Sequence, residues 1–299
     1  AERIRAPLKA LDRLLGNTHL HAEREHIYSA MTRWLVRSKQ PVIVVDWPDL
    51  KADRSWHLLR AAIPVGGRTL PILDLVFPAS EQNSPKAEKH FLQRLASVLP
   101  DGVNPILVTD AGFRGPWFRA VEAMGWQWLG RLRNTTYLRT VAVPNKPAPW
   151  ESCKAMYQRA KQTPRDLGLM EVARSKPLSA HVVLHAKPPG GRKHRTRQGL
   201  PARDSYSRSH AKREREPWLL MASPSLKLNA RQLATLYARR MQIELSFRDL
   251  KSHRYGQASK TVSPAKVRAS RFCFCSAHWL PLPHGWSVWR VRRAALING

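Results

Sequence analysis

Three acids in this chain have the type and the setting to handle a charged oxygen. Asp46 closes the apolar run Pro41-Val-Ile-Val-Val-Asp46, and Asp110 closes Asn104-Pro-Ile-Leu-Val-Thr-Asp110. A short apolar run ending in an acid is how a strand buried on both faces reads when it delivers one polar side chain at its end. Glu244 lies in Tyr237-Ala-Arg-Arg240-Met-Gln-Ile-Glu244-Leu-Ser-Phe-Arg-Asp-Leu-Lys251, which reads as one amphipathic helix from near Asn229 to Gly256. At roughly 100° per residue, Tyr237, Arg240, Glu244 and Lys251 share an arc of about 60°. Leu236, Ile243, Phe247 and Leu250 form an apolar stripe beside it. One face can therefore anchor the helix in a core while the next presents a carboxylate among two cations and a phenol.

If the two apolar strands are neighbours, their terminal carboxylates lie about 5 Å apart at the backbone. Two unpaired carboxylates that close repel unless a cation intervenes, and carboxylate oxygens favour Mg²⁺ or Mn²⁺ over zinc. A third acid from a packed helix completes a site for two metals about 3.5–4 Å apart, the arrangement that serves in-line displacement at a phosphodiester. Taken singly, each acid also fits a plainer role, as a cap on a following turn or as part of a solvated helix face. The combination is what points to phosphodiester chemistry.

Composition narrows the substrate. Fifty-one Lys and Arg against 21 Asp and Glu leave the 299-residue chain a formal charge of +30, far beyond what solubility requires, which suggests a polyanionic partner. No basic amphipathic helix with a lipid-facing aromatic side stands out, so DNA or RNA is favoured over an anionic membrane. No apolar run approaches a transmembrane span and no secretory signal is present. Cys153, Cys273 and Cys275 make neither a disulfide framework nor a zinc cluster. Cys273-Phe-Cys275 with His278 and His284 fits no zinc knuckle. A reducing, nucleic-acid-containing compartment is the expected setting.

The elements that must position the acids follow in order. Residues 1–40 read as two helical runs separated at Gly16-Asn17, the second from Ala22 to Arg37. After the first acid, Ser55–Ile63 and Arg68–Phe77 make a hairpin about Pro64-Val-Gly-Gly67. Lys86–Leu99 is a helix with Phe91, Leu92, Leu95 and Val98 at helical spacing. The second acid is followed by the tight turn Ala111-Gly-Phe-Arg-Gly115, a helix from Trp117 to Met124 and a strand from Trp126 to Leu132. Residues 133–217 then lose the compact alternation, keeping β-prone pieces at Tyr137–Val143 and His181–His185. Within them, residues 187–216 hold about ten Lys or Arg against three acids and read as a flexible or DNA-facing insertion. Trp218-Leu-Leu-Met-Ala222 restores an apolar strand. After Asp249 no acid occurs at all, and Trp279, Trp286, Trp289, prolines and arginines follow without a sustained period.

Tyr237-x₂-Arg240-x₃-Glu244-x₆-Lys251, with Val45-Asp46-Trp47 and Thr109-Asp110-Ala-Gly-Phe113, closely resembles bacterial insertion-sequence transposases. The family has an RNase H-like DDE catalytic domain, and the subgroup carries the Tyr-Arg-Glu-Lys motif, as do relatives of the transposon-five and transposon-ten transposases. The resemblance covers roughly residues 8 to 256. It implies an α/β fold, an RNase H-like mixed five-stranded sheet flanked by helices with a β-rich insertion before the final catalytic helix. It divides the chain into a helical remnant of a DNA-binding region (1–40), a first part of the core (41–132), a β-rich basic insertion (133–217), the last strand and Glu helix (218–256) and an atypical tail (257–299).

Carried over residue by residue, the resemblance makes Asp46, Asp110 and Glu244 the catalytic acids and the ligands of two Mg²⁺ (or Mn²⁺) ions. Tyr237, Arg240 and Lys251 correspond to phosphate contacts around the transposon end, and Trp218 to a tryptophan that stacks on a flipped base. His57, His181 and His185 have no counterpart and read as ordinary sheet or loop histidines. The implied activity is cut-and-paste transposition. Hydrolysis nicks one strand, the freed 3′-hydroxyl attacks the opposite strand to give a hairpin, and the hairpin is reopened before strand transfer. The implied partners are double-stranded DNA, both terminal repeats and target, and a second copy of the chain in a synaptic dimer, with no membrane. The implied location is cytoplasmic, in bacteria, at the nucleoid. The residues alone leave open an RNase H-like junction nuclease and a non-catalytic DNA-binding protein. Two departures from the family carry a further expectation. The chain starts at Ala1, only 45 residues before the first acid, and the resemblance ends near Gln257. An acid-free tail rich in Arg, Pro and Trp is what a shifted reading frame in GC-rich DNA yields, so a truncated, frameshifted copy is expected.

Overall fold

The computed structural model describes residues 13, 17–50, 53–133, 136–141, 148–187, 200, 204–205 and 215–251. The expected first N-terminal helical run, most of the basic stretch 188–214 and the whole tail 257–299 lie outside the described residues. In chain order the elements are α1 (Thr18–Leu35), β1 (Val42–Asp46), β2 (Trp56–Val65), β3 (Arg68–Pro78), α2 (Pro85–Val98), β4 (Ile106–Thr109), α3 (Gly115–Ala123) and β5 (Gln127–Leu132). There follow β6 (Tyr137–Thr140), β7 (Glu151–Ser152), α4 (Cys153–Tyr157), β8 (Arg165–Val172), β9 (Leu178–His185), β10 (Trp218–Ala222), α5 (Ala230–Ala238) and α6 (Met241–Lys251). They fall into two compact units, one built from the chain up to Gln127 together with the chain from Arg239, the other from Trp128–Ala238.

In the first unit the strand order is β3-β2-β1-β4. β3, β2 and β1 pair antiparallel, and β1 pairs parallel with β4. The β2–β3 hairpin turns on Gly66 and Gly67 alone, at φ 52° and 91°, a two-residue turn that needs left-handed backbone at both positions. The expected turn at Pro64-Val-Gly-Gly67 therefore shrinks, and Pro64 and Val65 join the ladder opposite Thr69 and Arg68. Asn17 caps α1 by accepting from the His19 and Leu20 amides. Ser84 caps α2 in the same way, accepting from the Ala87 amide, with Pro85 in the first helical position. α2 packs against α3, α1 and β3, burying Phe91, Leu92 and Leu95 beside Trp117, Phe118 and Val121. α6 packs against β2 and β3. The unit is thus a mixed sheet with flanking helices, its core being the apolar strands that end in the two aspartates.

In the second unit the order is β5-β10-β9-β8-β6-β7, each described pair being antiparallel. All five residues of β10 are buried, in keeping with its apolar sequence. The eight-residue strand β8, which the sequence reading did not single out, supplies the partner that β9 requires. Among the described residues no helix is long and apolar enough to cross a membrane.

Candidate active site

β1 and β4 run parallel with Val45 opposite Thr109, so Asp46 and Asp110 leave the sheet side by side at the same end. Each carboxylate is steadied by the backbone just beyond it. Asp46 Oδ1 accepts from the Trp47 amide at 2.9 Å, and Asp110 Oδ1 accepts from the Gly112 amide at 2.8 Å. A Cβ on residue 112 would come within 3.0 Å of that Asp110 oxygen, which explains why the turn after the second acid uses glycine there.

Glu244 stands in the first turn of α6, where the unsatisfied amides and the helix dipole favour a negative charge. Its Oε1 lies 2.5 Å from Arg240 Nη2, and Arg240 is only 8% exposed. Asp46 registers all of these neighbours. Burial, then the charge of Asp110, push its pKa up to about 7, Arg240 pulls it back, Glu244 raises it further and the Trp47 amide lowers it. The residue keeps part of its surface open, but its carboxylate is packed deep among protein atoms. The three acids picked from the sequence are therefore within electrostatic reach of one another, in one unit of the fold.

The donor set is that of a hard divalent cation, all carboxylate oxygen, and Asp46 is raised first by burial and then by the charges of Asp110 and Glu244, against Arg240. Asp46, Asp110 and Glu244 are the residues that could hold such an ion. Among the described residues no three His, Cys, Asp or Glu side chains stand close enough to share one as placed, so ligation requires the acids to draw together. Like charges with one guanidinium between them are expected to stand apart.

The motif helix needs correction. It is not continuous from Asn229 to Gly256. Asn229 and Gln232 exchange side-chain-to-amide hydrogen bonds, both 2.9 Å, as a capping box at the start of α5. The helix then breaks into a turn at Arg239-Arg240, and α6 begins at Met241. The shared arc of Tyr237 with Arg240, Glu244 and Lys251 consequently does not exist. No Gly or Pro marks the break; the part-buried contact of Arg240 with Glu244 accompanies it. The apolar stripe does survive, with Leu236, Ile243, Phe247 and Leu250 all buried.

Tyr237 and Trp218 lie together in the second unit. Their rings meet edge to face at 5.0 Å, with His185 at 5.9 Å and Lys187 Nζ 5.7 Å from the Trp218 ring. Tyr237 is 2% and Trp218 8% exposed, so in this conformation both rings are core. Lys251 is the last residue of α6. His57 is buried against Asp49 at 3.2 Å and His181 pairs with Asp166 at 2.7 Å.

Sequence reasoning passed over three features of the first unit. Arg60 and Asp74 form a wholly buried bidentate pair, at 2.7 and 2.6 Å; a lone charge in the middle of each apolar strand was the signal. Ser246 on α6 accepts from the Thr69 amide at 2.9 Å and the Thr69 hydroxyl at 3.1 Å. Glu88, 4% exposed, has its pKa pushed up to about 7 by burial, partly offset by the Trp47 indole.

A family model described as a transposase DDE domain matches residues 37–280. The chain belongs to this family. It is a DNA transposase, an enzyme of DNA transposition, with an RNase H-like mixed α/β catalytic domain. The family typically employs divalent metals and acts on DNA, consistent with the acids and the +30 charge of this transposase. The matched span runs past position 257, where the sequence reading ends the resemblance, and reaches residue 280. No curated protein matches the chain.

Proposed function

We propose that this transposase belongs to the subgroup with the Tyr-Arg-Glu-Lys motif and works by cut and paste through a hairpin intermediate, with Asp46, Asp110 and Glu244 as its catalytic acids. The observation that carries the reading is that Asp46 and Asp110 leave adjoining parallel strand ends together, with Glu244 on α6 and its partner Arg240 both acting on the Asp46 charge. Two Mg²⁺ or Mn²⁺ ions, when bound, would activate the attacking oxygen and stabilise the leaving one.

The chain's own residues account for the rest. Asp46 and Asp110 are held by the sheet and Glu244 by α6, so the acids arrive on rigid elements rather than loops. Arg240, Tyr237 and Lys251 would take phosphates of the transposon end, offsetting the repulsion between DNA and three acids. Trp218 would stack on an extruded base. Hydrolysis nicks one strand and leaves a 3′-hydroxyl. That hydroxyl attacks the opposite strand, displacing its bridging oxygen to close a hairpin, which water reopens before strand transfer. No covalent enzyme intermediate is required. Residues 41–132 and 218–256 would form the catalytic core around the insertion 133–217. A dimer would synapse two ends, at the bacterial nucleoid in the cytoplasm.

The test is incubation of the full chain with Mn²⁺ and the DNA flanking its own locus. Cleavage at the element boundary with hairpin products is expected. Asp46→Asn, Asp110→Asn and Glu244→Gln should each abolish it while salt-sensitive DNA binding persists. Open nicks without hairpins would indicate a junction nuclease, and binding without cleavage would sink the enzymatic reading of this copy.

A further inference from the structure

Asp46, Arg60 and Asp74 form a row across three strands, Asp46 paired with Arg60 and Arg60 with Asp74 in the antiparallel register. Directly opposed residues of antiparallel strands share a face of the sheet, so the buried pair lies on the same face as the first acid. The Arg60 guanidinium is fixed to Asp74 by two bonds and sits 5.2 Å from the centre of the Phe247 ring. Phe247 is on α6, three residues beyond Glu244, hence on neighbouring positions of one helix face. We propose that the Arg60–Asp74 pair is a positioning element for the acid site, setting where α6, and with it Glu244, lies over Asp46. The inference rests on the assignment of Asp46 and Glu244 to one site.

Stability alone gives little reason for an ion pair here. Its neighbours on the same face of β2 and β3, Leu58 and Val76, and Phe247 above it are buried and apolar, and a buried ion pair is often no better than hydrophobic residues of the same volume. What it adds is direction. An aliphatic surface lets a phenyl ring slide, whereas a planar cation locked by two bonds offers one face at one height. The other end of the contact is also fixed: Thr69 hydrogen-bonds Ser246, and Arg68 Nε lies 2.6 Å from Asp249 Oδ2. α6 is thus held to β2 and β3 through Ser246, Phe247 and Asp249, of which Phe247 on Arg60 is the one that touches the row containing Asp46.

The test compares the full chain with the double substitution Arg60→Met/Asp74→Leu and with Phe247→Leu, which keeps the ion pair and removes the ring. Three quantities are measured on DNA-free protein: Tm without metal, Mn²⁺ affinity by titration calorimetry, and hydrogen exchange of the α6 amides. The double variant should keep or raise its Tm, yet bind Mn²⁺ about tenfold more weakly and exchange α6 amides faster than those of β1 and β4. A folded double variant with unchanged Mn²⁺ affinity and unchanged α6 protection overturns the proposal. Should the double variant fail to fold, Phe247→Leu decides: weaker Mn²⁺ binding and faster α6 exchange with Tm largely kept support it, and no change in either overturns it. If the unaltered chain binds no Mn²⁺, it is the assignment of the acids that fails, and the exchange of α6 still decides whether the pair positions that helix.

Discussion

Arg240 pairs with Glu244 across one turn at the start of α6, and the same guanidinium pulls down the pKa of Asp46. One cation thus serves two acids from different elements. The charge that would meet a DNA phosphate is, in the DNA-free protein, already engaged inside the site.

It follows that Arg240→Gln should act in opposite directions on two ligands. Removing a cation beside the acids takes away a competitor for carboxylate oxygens, worth on the order of 1 kcal/mol for a pair whose carboxylate is solvent-exposed. DNA-free protein should then bind Mn²⁺ several-fold more tightly by calorimetry. Binding to transposon-end DNA should weaken, with a salt slope shallower by about 1, in anisotropy titrations at several salt concentrations. Mn²⁺ affinity that stays the same would mean that Arg240 does not restrain the acids.

The buried acids make stability depend on pH. Glu88 has a folded pKa of about 7 against an ordinary value of 4.5, chiefly through burial. The folded state therefore holds a proton that the unfolded state has released, and the stability this confers is full below about pH 4.5 and lost as pH rises through 7. Asp46, raised in the same direction, adds to the trend in metal-free protein. Glu88→Gln should raise Tm at pH 8 more than at pH 5, by an amount corresponding to about 2 kcal/mol. An equal shift at both pH values would show that Glu88 is not the group being titrated.

Ser246 tests how α6 is held. Ser246→Ala strips the buried Thr69 amide of its acceptor, and a buried donor left without a partner costs about 1–3 kcal/mol. Urea unfolding should show that loss with an unchanged m-value. Ser97→Ala, which removes only an exposed bond to the Arg94 carbonyl, should stay within about 0.5 kcal/mol. Equal effects at the two serines would remove Ser246 as an anchor.

Trp218 carries two roles that can be separated. As a core residue its loss to alanine should destabilise by about 3–5 kcal/mol, and Trp218→Phe should cost far less. As a stacking platform it must expose a ring that is now packed on Tyr237 and His185. A 2-aminopurine placed at the terminal position of the transposon end should change its fluorescence on cleavage with the native chain and less with Trp218→Phe. Identical signals with both proteins would leave Trp218 a core residue only.

Much of this was legible in the residues themselves. The strand ends were given away by apolar runs closing in Asp46 and Asp110, because a strand buried on both faces has no other polar position to use. The hairpin was marked by Gly66-Gly67, since only glycine takes left-handed backbone twice without cost. The amphipathic pattern placed the start of the motif helix near Asn229, where the structure shows the capping box.

The break at Arg239-Arg240 was not legible. Helical period continues straight through it, and nothing in the local residues opposes a helix; the segment after the turn is the one that packs on β2 and β3, a contact made only in the folded sheet. The Arg60–Asp74 pair was hidden for a related reason. Two isolated charges in two apolar strands become partners only when the register sets them opposite each other. What the sequence by itself determined was the strands that end beside the candidate acids Asp46 and Asp110, because burial and turn chemistry are local constraints. That Arg60 faces Asp74 was decided by tertiary structure alone, since pairing between strands depends on a register through space that no spacing along the chain encodes.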